Sequence, residues 1–250
     1  MLPDLLRIAL LGGTAALDRI GGWSFMFSQP IVGACLAGAL VRPGPEWELW
    51  ALRVPIGVGV LLQLLLTDAS LPAAQRQHDT ATAGVVGSTV AILSMARLHE
   101  TYPTTGAGML WVLVGVGVGL LAAVAGGWVL RFHRARSRAD VARADRLALA
   151  GEVGAFERLY WGGVVRAFAV GAAWSWGASL LGIALVTALL PRLAGFLTSR
   201  RIGFLFATLL GAALAAGYHA HVRGRRRGRR LALIGAVATL VLLSVLKGPR

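Results

Sequence analysis

Residues 106–130 read GAGMLWVLVGVGVGLLAAVAGGWVL, and residues 131–138 follow at once with RFHRARSR. The first stretch carries no charged side chain. About 20 such residues cross the hydrocarbon core of a bilayer as a helix. A water-soluble helix of that length keeps polar residues on one face, and this one has none. The arginines at its end bias that end toward the cytoplasm. The chain therefore reads as an integral membrane protein with residues 131–158 inside, whose function is performed across or within a lipid bilayer.

Composition agrees with this reading. Of the 250 residues, 56% are hydrophobic and only 14% charged, against about 25% charged in soluble domains; the mean hydropathy is +0.69. The 33 glycines suit close approach of helices in lipid. The net charge of +14 is carried almost entirely by arginine. On a soluble protein such basicity points to nucleic acid. Here the arginines form short blocks between apolar runs, so topology and attraction to anionic lipid account for them, and no nucleic-acid partner is expected. The single cysteine, Cys35, excludes an intrachain disulfide and reads as a packing residue. The chain has no GxSxG, HExxH, P-loop or CxxC sequence and no acidic cluster with metal spacing. Neither a cofactor nor a metal is expected, and little supports an intramembrane enzyme. Residues 5–17 are apolar, but Asp4 precedes them and no small-residue cleavage site follows, so this first segment is expected to be retained.

Working outward from 106–130, the chain predicts an all-α, polytopic single domain with about six to eight membrane-embedded segments. Segments 5–17, 31–41 and 54–66 are short, which suggests re-entrant or broken helices of the kind that line transporter sites. A polar interlude at 67–80 precedes an apolar segment at 81–96. Residues 131–158 read as an amphipathic surface helix interrupted near Gly151, dividing an N-terminal membrane half (1–130) from a C-terminal one (159–250). A second long span covers 162–190, Pro191 marks a turn, and 202–218 returns. The basic block 223–230, RGRRRGRR, then falls on the same side as 131–146, while Arg192, Arg200 and Arg201 fall opposite. The last apolar segment is 231–246. The two halves leave room for an inverted repeat, although no similarity between them is evident.

Polar groups inside apolar segments are costly and mark candidate sites. Gln63, within LLQLLL, reads either as an interhelix hydrogen-bonding group or as a partner for a ligand hydroxyl. Asp79 reads either as the N-cap opening segment 81–96 or as a carboxylate accepting two sugar hydroxyls. Asp18 and Arg19 can simply pair, and His78 beside Asp79 is a candidate proton relay or a solvated loop residue.

The order of these pieces resembles the IIC subunit of the mannose/fructose/sorbose-type sugar phosphotransferase system. That family opens with a pattern like LLGGLLALDR followed by FMISRPIV. This chain has Leu11-Gly12-Gly13, Ala16-Leu17-Asp18-Arg19 and Phe25-Met26-Phe27-Ser28-Gln29-Pro30-Ile31-Val32. The family's LLELLWLGxLPVGAAxPPD is matched by Leu61-Leu62-Gln63-Leu64-Leu65-Leu66 and then His78-Asp79, with the interval from the family's Glu to its Asp kept from Gln63 to Asp79. The segment ADRLALAGEVGAFERLYWGGVVRAF is similar to the family's ADRAAxxGDLxxLxRLHLLGLLLRF. The likeness covers roughly residues 8–40, 60–95 and 140–182. Gln63 replaces the family's Glu, LPAAQRQHD replaces PVGAAxPPD, and RPGPEWELWALRV interrupts the usual turn after residue 41.

The resemblance implies a multimeric bacterial inner-membrane complex. This subunit would pair with a IID membrane subunit and pass a hexose-like sugar inward for phosphorylation by a soluble IIB phosphocarrier supplied by IIA. It implies Gln63 and Asp79 as sugar partners, with Asp18 and Ser24 as further substrate-binding candidates and no catalytic residue on this chain. The basic segments 131–146 and 223–230 would help dock the phosphorylated partner. A membrane scaffold or binding subunit that no longer transports is the alternative, motivated by Gln63 and the altered loop.

Overall fold

The computed structural model describes residues 2–20, 26–41, 48–66, 79–98 and 107–222. Among them every regular element is helical: α1 (Leu2–Ile20), α2 (Pro30–Leu40), α3 (Glu48–Leu66), α4 (Thr80–Leu98), α5 (Ala107–Leu149), α6 (Val153–Leu189), a 3-10 turn (Pro191–Leu193) and α7 (Ser199–Val222). Among the described residues, four stretches are long and apolar enough to cross a bilayer: Leu49–Leu66, Gly108–Leu149, Val153–Leu193 and Ser199–His219. The chain is a helical membrane protein. Ser24, His78 and the segments 67–78 and 223–246 lie outside the described residues.

Two of the expected short segments are parts of longer helices, the first at the centre of its helix and the second running to the end of its own. Segments 5–17 and 54–66 belong to α1 and α3, each of 19 residues. At about 1.5 Å per residue each is about 28 Å long, close to the hydrocarbon thickness. Charged residues cut the apolar runs short in sequence but are accommodated in the fold. In α1, Asp4 lies in the first turn, where the helix dipole favours an anion. Arg7 reaches Asp4 at 3.5 Å and donates to the Leu40 carbonyl at 3.2 Å. Segment 31–41 does remain short. Pro30 starts α2 at a position where its missing N–H costs nothing, and the helix has 11 residues.

The segment 131–158 departs from expectation. It is not a separate helix lying on the surface. Instead α5 continues without a break for 43 residues and α6 runs for 37, lengths of about 64 and 56 Å. The arginines end the apolar part of α5 but not its helix, because Arg, Ala and Leu are all strong helix formers. The interruption falls where expected. Gly151 has φ +69°; its N–H donates to Ala148 O at 3.2 Å and the Glu152 N–H to Leu147 O at 3.0 Å. This is a Schellman stop, which needs a left-handed residue that glycine supplies without strain. Asp140 of α5 and Arg166 of α6 meet at 2.6 Å and tie the two arms together.

Small residues set the packing. The central helix is α4, which touches α1, α2, α3, α5 and α6; Ala83, Gly84, Gly87, Ser88 and Ala91 leave it slender enough to do so. A side chain at Gly87 would strike the Gly115 carbonyl of α5, and Gly119 lies against both Leu62 of α3 and the Ala83 carbonyl of α4. Pro55 within α3 leaves the Ala51 carbonyl without its usual helical donor, and Gly38 of α2 packs directly on that carbonyl and on the proline ring. Gly12 and Ala16 of α1 interlock with Ser175 and Gly171 of α6. These pairings run α1 against α6, and α4 against α5, in opposite directions. The ends of α1, α3 and α7 and the starts of α2, α4 and α6 therefore gather at the end of the bundle from which the α5–α6 hairpin projects. Arg192, Arg200 and Arg201 lie at the other end, as expected. Outward-facing apolar residues such as Leu6, Leu10, Leu121, Leu181 and Phe204 are exposed because lipid is their solvent.

Candidate functional site

Asp79 is 5% exposed, at the N-cap of α4. Thr82 explains its local geometry. The Thr82 hydroxyl donates to Asp79 Oδ2 at 2.7 Å and the Thr82 N–H approaches Oδ1 at 3.4 Å. The Asp79 N–H itself donates to the Ala123 carbonyl of α5 at 2.8 Å. The first turn of α4 is thus capped by a carboxylate and tethered to a neighbouring helix, and the positive end of the helix dipole offsets part of the cost of the buried charge.

Gly126 lies against this carboxylate. A Cβ on Gly126 would stand 2.8 Å from Asp79 Cβ, 2.8 Å from Trp174 Nε1 and 3.0 Å from Asp79 Oδ2. The glycine therefore lets an acceptor from α4 and a donor from α6 close in on α5, and both of them also line a small cavity. The Trp174 indole nitrogen is buried and has no hydrogen-bond partner among the described residues. Such a donor is costly unless something accepts from it. This cavity has a volume of about 10 Å³, and its remaining lining is Ala16, Val129, Leu130, Ala167, Val170 and Gly171. A space of about that size holds a single water molecule. It lies near the hairpin end rather than at the centre of the bilayer: Gly126 is four residues from Leu130, about 6 Å along the helix.

The other candidates are placed as follows. Gln63 is half-buried in the last part of α3 and is not among the residues lining the cavity beside Asp79. It lies at a similar level, since its neighbour Leu62 and Ala83, one turn beyond Asp79, both meet Gly119. Asp18 accepts the Ser28 N–H at 2.8 Å and so fixes the connection from α1 to α2. In that turn Met26 takes a positive φ of 63°. Trp174 escapes a reading of the sequence, because its relation to Asp79 exists only once α4, α5 and α6 are packed. The local signal is an indole donor, one of two with Trp176, within a largely apolar span.

A second and larger cavity, about 240 Å³, lies at the base of the hairpin. Leu17, Val141, Phe156, Leu159 and Val164 form its apolar walls; His133, Ser137, Asp140 and Tyr160 supply polar groups. His133 is 6% exposed. Among the described residues no group of three or more His, Cys, Asp or Glu side chains is placed to hold a metal ion. No protein-family model matches this chain, and no curated protein matches it in sequence.

Proposed function

We propose that this chain is the membrane-translocating subunit of a sugar phosphotransferase system, of the IIC type that its sequence resembles. In this reading it passes a hexose-like sugar inward to a IIB phosphocarrier beside a IID partner. The observation that carries the proposal is that the buried Asp79 carboxyl group and the buried Trp174 indole N–H line one small cavity beside Gly126. Sugar hydroxyls donate and accept at once, so an acceptor and an unsatisfied donor lining one cavity suit them. The helical membrane fold, the level of Gln63 and the ordered motifs on α1, α3, α4 and the hairpin are consistent with it.

In this reading the hairpin end faces the cytoplasm. The arginines at 131–146 satisfy the positive-inside rule, and α7 ends at this same end of the bundle, at Val222, the residue before the basic block in sequence. In this reading the four spanning stretches, the shorter helices α1, α2 and α4 and the expected apolar segment 231–246 would together give eight embedded segments. Uptake of a labelled hexose panel into cells carrying IIA, IIB and IID partners tests the proposal. Uptake dependent on phosphoenolpyruvate, lost in Asp79→Ala with membrane insertion intact, is the expected result. Normal uptake by Asp79→Ala removes this carboxylate from the site.

A non-transporting scaffold is the second reading, and the size of the cavity favours it: about 10 Å³ admits water but no hexose. Absence of uptake for every sugar with all partners present supports this reading over the first.

A further inference from the structure

We infer that the polar solute's path runs along the seam between α1, α4 and α6; this inference deepens the transporter reading above and rests on it. Three serines carry the argument. Ser175 and Ser179 on α6 and Ser94 on α4 are each 0% exposed, and the hydroxyl of each has no hydrogen-bond partner among the described residues. A helical serine ordinarily returns its hydroxyl to a carbonyl one turn back, as Thr89 of α4 does to Val85 O at 2.7 Å. These three do not, although a low-dielectric interior makes an unpartnered hydroxyl costly.

Their placement is ordered. Ser175 packs directly on Gly12 of α1, and Ser179 lies one turn further along the same face of α6. That face then reaches Gly182, where Val90 of α4 and Val118 of α5 fill the space. Ser94 is one turn beyond Val90 on the same side of α4, and three turns below Val90 on that side is Asp79. The row thus begins at the Asp79–Trp174 gap and ends at Ser94, a length of about 22 Å along α4. That is most of the way across a hydrocarbon core of about 30 Å. In the conformation described the seam is shut, because Gly12 and Ala16 let α1 close onto Gly171 and Ser175. When α1 and α6 separate, the row of hydroxyls that now lacks partners meets the solute and its water.

Cysteine accessibility tests this, and the single native cysteine makes it clean. In a Cys35→Ala background, Ser94, Ser175 and Ser179 are changed one at a time to cysteine, a near-isosteric replacement. Ser88→Cys is the matched control: it is equally buried and unpartnered, but it shares the face of α4 that meets Pro30 of α2 through Gly84. Vesicles holding the full chain with its membrane partner are treated with a charged, water-soluble methanethiosulfonate. Severalfold faster modification of the three seam cysteines than of Ser88→Cys is expected, with rates that change when transportable sugar is added. Equal rates at all four positions, or no modification at any, overturns the path. Should Ser175→Cys, the tightest position, fail to insert, Ser94→Cys and Ser179→Cys decide the result. Sugar uptake with an unmodified seam defeats the path and leaves the transporter reading standing. A modified seam without uptake of any sugar supports the path and defeats the sugar.

Discussion

Replacing Gly126 by alanine adds one methyl group where the candidate site is narrowest. The new carbon would stand 2.8 Å from both Asp79 Cβ and Trp174 Nε1, whereas carbon contacts settle at about 3.5–4.0 Å. The start of α4 or the indole of α6 must therefore move. Forcing a methyl group into a closed interior costs about 1–3 kcal/mol, and alanine returns about 0.5–1 kcal/mol in a helix by restricting the unfolded chain. The net loss is at most about 2.5 kcal/mol. Gly117, nine residues earlier on the same helix, has nothing within 4 Å of its Cβ position, so Gly117→Ala should show only the gain. For a chain of this size about 1 kcal/mol moves the thermal midpoint by about 2–4 °C. Gly126→Ala should thus melt up to about 10 °C lower and Gly117→Ala about 1–4 °C higher than the parent in one detergent, followed by tryptophan fluorescence or loss of the monodisperse peak. In a Trp174→Ala background the cost of Gly126→Ala should shrink, because one wall of the gap is gone. Midpoints that move together in the two glycine variants, or a cost at Gly126 indifferent to Trp174, would refute the placement of these three residues.

Asp79→Ala removes the cap of α4 and should cost about 1 kcal/mol, while Asp79→Asn keeps a capping oxygen and most of that stability; equal melting of the two would show that the cap contributes nothing. If the carboxylate binds sugar, both variants lose uptake, so Asp79→Asn separates capping from binding. The Asp140–Arg166 pair is about a third exposed on each side, so a double-mutant cycle with Asp140→Asn and Arg166→Gln should give a coupling below about 1 kcal/mol that falls in high salt; a larger, salt-insensitive coupling would mean a dry hairpin base. Gly151→Ala forces alanine into the left-handed region at a cost of about 1–2 kcal/mol, which should appear as faster hydrogen exchange around residues 147–156 with the spans unchanged; uniform exchange would contradict a local stop at Gly151.

Much of the architecture was legible because lipid imposes a coarse rule. The charge-free run 106–130, the second long span, the stop near Gly151, the turn at Pro191 and the Asp79 cap of α4 all follow from local composition and chemistry, and all are found. The extents of α1 and α3 were not legible. Hydropathy marks where lipid begins, whereas a helix continues wherever its backbone is satisfied, as Asp4 and Arg7 show in α1. The same distinction accounts for the hairpin: Arg131 ends the apolar surface of α5 and not its hydrogen bonding. The relation of Trp174 to Asp79 was hidden for a different reason. It depends on Gly126 of a third helix admitting both, and no spacing along one segment encodes that.

The charge at position 79 is itself informative. A neutral serine or asparagine caps a helix about as well as aspartate does. A carboxylate at the centre of a membrane helix costs about 2.5–3.5 kcal/mol by insertion measurements, an upper bound for a position this close to the Arg-rich end. The cap returns about 1 kcal/mol and the helix dipole, in a partly buried setting, up to about 2. The two sides nearly cancel, and the nearby Arg-rich end, about 6 Å further along α5, shortens the distance to water. Stability alone thus gives no reason to prefer aspartate over asparagine here. What the carboxylate adds is a stronger acceptor lining a cavity that is also lined by an indole donor with no partner of its own among the described residues. That asymmetry is what a ligand carrying both a donor and an acceptor would complete.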